Sequence, residues 1–132
     1  MRSLDTNVLV RYLTNDDPKQ TQIAERILEE CRASREPVFL TILVLCELFW
    51  ILDRSFGQTK TQLVDVLEKL LDMSLFRIEQ ESVVRQSLDQ YRHGKGSFPD
   101  YLIGEISRHA GCRDTVSFDR ALKGSTGFTI LT

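Results

Sequence analysis

A chain of 132 residues with a formal net charge of −2 and 42% hydrophobic residues is expected to form a single domain over residues 1–132. It needs no disulfide or structural metal to hold a core. That charge excludes a protein coating nucleic acid with a uniformly basic surface, but it accommodates a cluster of metal-binding carboxylates. The longest apolar run, residues 42–52, is broken by Glu47 and too short to cross a bilayer. An acid at position 5 stands where a secretion signal needs its apolar run, so a cytoplasmic protein with no membrane association is expected. The three cysteines, Cys31, Cys46 and Cys112, form no C-x-x-C pair and give no disulfide framework. Cys31 and Cys46 read as small core residues. A cysteine nucleophile would need His93 or His109, and no local signature supports one.

In chain order, a short strand ends near Leu4 or Asp5 and turns directly into a helix. Val8, Leu9, Tyr12 and Leu13 recur there at helical spacing. Asn15-Asp16-Asp17-Pro18 breaks the chain and starts the next helix, with Asp17 as N-cap and Pro18 at the first helical position. That helix carries Ile23, Ala24, Ile27, Leu28 and Cys31 as its apolar stripe. Val38 to Thr41 reads as a strand buried on both faces of a parallel sheet. A helix with Leu43, Val44, Leu48, Ile51 and Leu52 inward follows and ends before Gly57. Thr59 begins another, with Leu63, Val66, Leu67, Leu70 and Leu71. Leu75 to Ile78 is a third strand and Ser82 to Tyr91 a further helix. Residues 93–97 are the clearest loop. Pro99-Asp100 opens a helix closed by Gly111. Thr115 to Phe118 and Phe128 to Leu131 complete the strands. The alternation implies an α/β fold with a mostly parallel sheet of about five strands flanked by helices.

In such sheets ligands bind beyond the carboxyl ends of the strands. Asp5 and Asp119 follow strands, and Asp100 opens a helix beyond a glycine-rich loop. Glu47 is expected on the inward face of the most apolar helix, where a charged glutamate needs a partner. Singly, Asp5 and Asp100 also suit helix caps and Asp119 suits a turn. Together, four acids on one edge point to a cation. Unit charges about 4 Å apart repel by roughly 4 kcal/mol at an effective dielectric near 20, and a divalent ion reverses that sign. Oxygen ligands without nearby His or Cys favour Mg²⁺, with Mn²⁺ as a substitute, over zinc.

Leu4-Asp5-Thr6-Asn7-Val8-Leu9, Glu47 in an apolar helix, Asp100-Tyr101-Leu102-Ile103 and Ser117-Phe118-Asp119-Arg120 together resemble the PIN-domain nucleases. Within them the chain is most similar to the toxin ribonucleases of VapBC toxin–antitoxin pairs, nearly end to end. The resemblance implies a PIN-like three-layer sandwich and a metal site at Asp5, Glu47, Asp100 and Asp119. Thr6, Asn7 and Ser117 would orient those carboxylates. Ser117 stands where threonine is more usual and keeps the hydroxyl. Pro99 stands where a small residue is common. The implied reaction is metal-dependent hydrolysis of RNA phosphodiesters to a 5′-phosphate and a 3′-hydroxyl.

Arg11, Arg92, Lys95, Arg113, Arg120 and Lys123 are the candidates for holding phosphates. Single-stranded or loop RNA is the expected substrate, and Phe98 or Tyr101 the candidates for stacking on a base. By the same resemblance the chain works as a homodimer blocked by a cognate antitoxin. Leu45, Phe49 and Trp50 are expected to supply some of an interface. Two rivals are a magnesium-dependent phosphatase, whose second acid would fall on Asn7, and a PIN-fold module that binds RNA or protein without catalysis.

Overall fold

Most helices begin where a side chain caps them. Asp17 accepts from the Gln20 amide at 3.1 Å with Pro18 at the first turn, and Thr41 accepts from the Val44 amide at 3.1 Å. Thr59 and Gln62 form a reciprocal capping box, as do Ser97 and Asp100. The computed structural model describes residues 1–132. They fall into two compact units, Met1–Glu81 and Ser82–Thr132.

The first unit runs β1 (Arg2–Ser3), α1 (Thr6–Thr14), α2 (Pro18–Ala33), β2 (Val38–Leu40), α3 (Ile42–Arg54), α4 (Lys60–Asp72) and β3 (Phe76–Ile78). Its three strands pair in parallel in the order β1-β2-β3, with Arg2 opposite Val38 and Val38 opposite Phe76. Val38 and Leu40 are fully buried, as a parallel strand covered on both faces should be. Leu9, Leu28, Leu48, Leu52 and Leu70 are buried from the helices.

The second unit runs α5 (Glu81–His93), α6 (Phe98–His109), β4 (Thr115–Ser117), a short 3₁₀ turn (Arg120–Leu122) and β5 (Phe128–Ile130). Here β4 and β5 pair in parallel, Thr115 opposite Phe128. Val84, Leu88, Phe98, Tyr101, Leu102 and Leu122 are its buried side chains. The chain is thus an α/β protein whose five strands are all in parallel ladders, three in one and two in the other.

The alternation and the caps agree with the sequence reading, but two apolar stripes do not. On α3 the buried residues are Ile42, Val44, Leu45, Leu48, Phe49 and Leu52, which places positions 43, 47, 50 and 54 on the opposite side. Leu43 is therefore 75% exposed, and Glu47 is exposed rather than inward. Of the three residues expected in an interface, Leu45 and Phe49 belong to the buried face. Trp50 is half-buried, with the Arg54 guanidinium 4.3 Å above its ring. On α2, Ile23 is 45% exposed because Thr21, Ala24, Leu28 and Cys31 take the inner face.

Candidate metal and nucleic-acid site

Asp5 follows β1 in extended backbone and is the N-cap of α1. Its Oδ1 accepts from the neighbouring Thr6 amide at 2.8 Å, and its carbonyl accepts from the Val8 amide at 3.2 Å. The carboxylate therefore stays at the first exposed amide rather than folding over the helix. Thr6 is buried and donates its hydroxyl to Glu47 Oε1 at 3.0 Å. One threonine thus ties the start of α1 to the middle of α3 and fixes the glutamate. Glu47 stands near Thr6 as an exposed, oriented acid, and not as a charge trapped among leucines.

Asp5, Asn7 and Arg11 lie along a cavity of about 470 Å³ between β1, α1 and α2, whose wall includes Ile23 and Ala24. Asn7 is exposed beside it. Arg11 does not offer its guanidinium to this space. Its Nη1 reaches both Asp16 oxygens at 3.1 Å and its Nε donates to Gln20 at 2.7 Å. Two of the three guanidinium nitrogens of Arg11 are thus engaged by its own neighbours.

In the second unit Asp100 is the third residue of α6. Its Oδ2 accepts from the Ser97 amide at 2.8 Å, and its own amide donates to Ser97 Oγ at 3.2 Å. The loop before it is fixed from within, since the Gly96 amide donates to the buried Tyr101 hydroxyl at 3.0 Å. Tyr101 and Phe98 are 2% and 0% exposed, so neither can stack on a base. Asp119 lies just beyond β4, where its Oδ1 accepts from the Ala121 amide at 2.9 Å. Ser117 Oγ accepts from the Asp119 amide at 3.0 Å, so the serine orients the backbone of this acid and not its carboxylate.

Asp5 caps α1, Asp119 caps the short 3₁₀ turn and Asp100 is the third-residue member of the Ser97 capping box, and none of these roles competes with metal binding. Each of the four carboxylates spends one oxygen on a hydrogen bond from its own neighbourhood. The other oxygen is left for a ligand. Helix N-termini also offset negative charge, which lowers the cost of placing acids there. In neither unit do three His, Cys, Asp or Glu side chains gather into a ready-made metal cage. Hard oxygen donors in small number suit Mg²⁺, which keeps several waters and takes only one or two carboxylates.

Lys95, Arg113, Arg120 and Lys123 are exposed. Arg92 lies 3.8 Å from Asp89. Sequence reasoning missed one exposed aromatic: Phe118, counted there as a strand residue, is 78% exposed beside Asp119. The sequence carries no signal for this, since alternation with the polar Thr115 and Ser117 would place Phe118 on the inward face.

Glu105 is the one buried acid, and it is already satisfied. Gln90 donates to one of its oxygens at 2.7 Å and Arg108 to the other at 2.9 Å. Burial alone pushes this carboxyl up, but the bonds from Arg108 and Gln90 and the charges of Arg108 and His109 outweigh it and hold the group below the ordinary glutamate value. A depressed carboxyl contributes stability above its unfolded value near 4.5, and that contribution disappears as pH falls through the lower folded value. Glu105→Gln is therefore expected to cost about 1–2 kcal/mol at pH 7 by weakening a charged hydrogen bond. In thermal melts against pH, the gap from the parent chain should narrow as pH falls below 4.5 and through the lower folded value.

A model of the PIN domain family matches residues 3–124. The chain is also 29% identical over 123 residues to a protein named VapC ribonuclease from Aquifex aeolicus (strain VF5), covering 93% of this chain and 90% of that one. No helix is long and apolar enough to cross a membrane. With the family model covering nearly its whole length, the chain belongs to the PIN-domain family.

Proposed function

We propose that the chain is a Mg²⁺-dependent endoribonuclease, with Mn²⁺ able to substitute, and that Asp5, Glu47, Asp100 and Asp119 hold one or two such ions. The observation that carries this reading is the shared state of the four carboxylates, each oriented by one local hydrogen bond and left with one oxygen to give. Likeness to a protein named as a VapC ribonuclease supports RNA as the substrate. Bound Mg²⁺ supplies an activated water and offsets charge on the phosphoryl oxygens and leaving group.

The chain's own part is positioning. Thr6 keeps Glu47 in one rotamer, and the Ser97 amide keeps Asp100 at the first turn of α6. Ser117 sets the backbone from which Asp119 projects. Lys95, Arg113, Arg120 and Lys123 hold the phosphates of the strand being cut. The PIN family membership and the likeness to a VapC protein further support a cytoplasmic toxin that pairs with a cognate antitoxin and works as a homodimer.

The test is cleavage of a single-stranded RNA by the purified chain. Activity is expected with Mg²⁺ or Mn²⁺, and its loss on chelation is expected to be reversed by adding either ion back. Cleavage that persists in excess chelator would overturn the proposal.

A further inference from the structure

The geometry points to Val116 and Phe118 as a stacking surface for unpaired bases of the RNA beside the cleavage site. This inference rests on the nuclease reading for its substrate. Val116 in β4 is 59% exposed, and Phe118, the residue just past the strand's end, is 78% exposed. A single exposed apolar residue needs no explanation. Here a large aromatic and a branched aliphatic stand together, immediately before Asp119, at the end of a strand.

The charges around them select the occupant. Arg113 precedes β4, while Arg120 and Lys123 follow Phe118, and all three are exposed. None of them forms an ion pair. An apolar protein partner would leave these cations unanswered, whereas a polyanion with flat apolar bases answers both features. Bases stacked on aromatic side chains of a sheet, with phosphates on flanking Arg and Lys, are an established way to bind single strands. A base on Phe118 would lie one residue from Asp119 and would fix which phosphodiester meets that acid. Phe118 is thus a positioning residue, and duplex RNA, whose bases are already stacked, cannot use it.

Binding of a labelled single-stranded oligoribonucleotide, and of a duplex of the same sequence, tests this by fluorescence anisotropy in an Asp5→Asn background that blocks cleavage. Phe118→Ala is expected to weaken single-strand binding by about 5- to 150-fold and to leave duplex binding unchanged. Phe118→Tyr should restore it. In the cleaving protein the same alanine should raise KM more than it lowers kcat. Thermal stability should not move, because the ring is exposed.

Equal single-strand affinity for Phe118→Ala would overturn the inference. So would unchanged affinity with an altered sedimentation coefficient, since the face would then be covered by a protein. Absence of metal-dependent cleavage by the parent chain would sink the nuclease reading separately, because the binding comparison does not depend on catalysis.

Discussion

Asp5→Asn is expected to lower Mg²⁺-dependent RNA cleavage by more than about 100-fold, since loss of a group that merely orients a metal ligand already costs 10–100-fold. The fold should survive. Asp5 caps α1 by accepting from the Thr6 amide, and asparagine is as good an N-cap as aspartate. The variant therefore separates the two roles of this side chain, because the amide keeps the cap and gives up the anionic oxygen. Cleavage rates at saturating Mg²⁺, read beside a thermal melt, check both halves. Unchanged cleavage in a folded variant would remove Asp5 from the site.

The second large effect is expected at Gly96, and for a reason of space rather than backbone conformation. Gly96 is buried, and a methyl group added there would collide with the Leu122 side chain and come within 3.3 Å of Asp100 Oδ2 and 3.2 Å of the Tyr101 hydroxyl. Leu122 is itself buried, at 2% exposure, so it has little room to yield. Gly96→Ala should therefore displace Asp100 and loosen the hydrogen bond between the Gly96 amide and Tyr101. An overpacked site of this kind costs about 1–3 kcal/mol. Cleavage is expected to fall by about 10- to 100-fold, as for loss of a group that orients a ligand. Gly94→Ala is the comparison, since the nearest atoms to its added methyl belong to Tyr101 and the Gln90 carbonyl rather than to Asp100. Its loss of activity should be smaller than its loss of stability.

The sequence was most readable where local chemistry decides structure. Asp17-Pro18, Thr59 with Gln62 and the glycine loop before Ser97 each announce a helix start, and each lies where expected. Asp5, Asp100 and Asp119 were also legible as positions, because each follows a strand or opens a helix and doubles as a cap or capping-box member, while Glu47 is the one acid within the apolar run from Ile42 to Leu52. The inward face of α3 was not. Nearly every residue from Ile42 to Leu52 is apolar, so helical periodicity has no contrast by which to choose a face. Tertiary packing chose Ile42, Val44, Leu45, Leu48, Phe49 and Leu52, and left Leu43 and Glu47 outside.

The case for Glu47 consequently changed its ground. Burial without a partner was the sequence argument, and the structure replaces it with an exposed carboxylate held by a buried threonine hydroxyl. The engagement of Arg11 is unreadable in the sequence for a related reason. Its partners Asp16 and Gln20 are close in sequence, but only the turn between α1 and α2 brings both to one guanidinium. Phe118 was overlooked because apolar strand residues are expected inward, and only the structure shows which face of β4 is open.

The proposed metal site makes both Asp5 and Asp100 ligands. Binding of Mn²⁺, counted by electron paramagnetic resonance on the intact protein, tests it most directly when Asp5→Asn and Asp100→Asn are compared with the parent. The account predicts saturable binding by the parent and a loss of at least about tenfold in affinity in either variant. Parent-like Mn²⁺ binding by both variants, each folded, would contradict it.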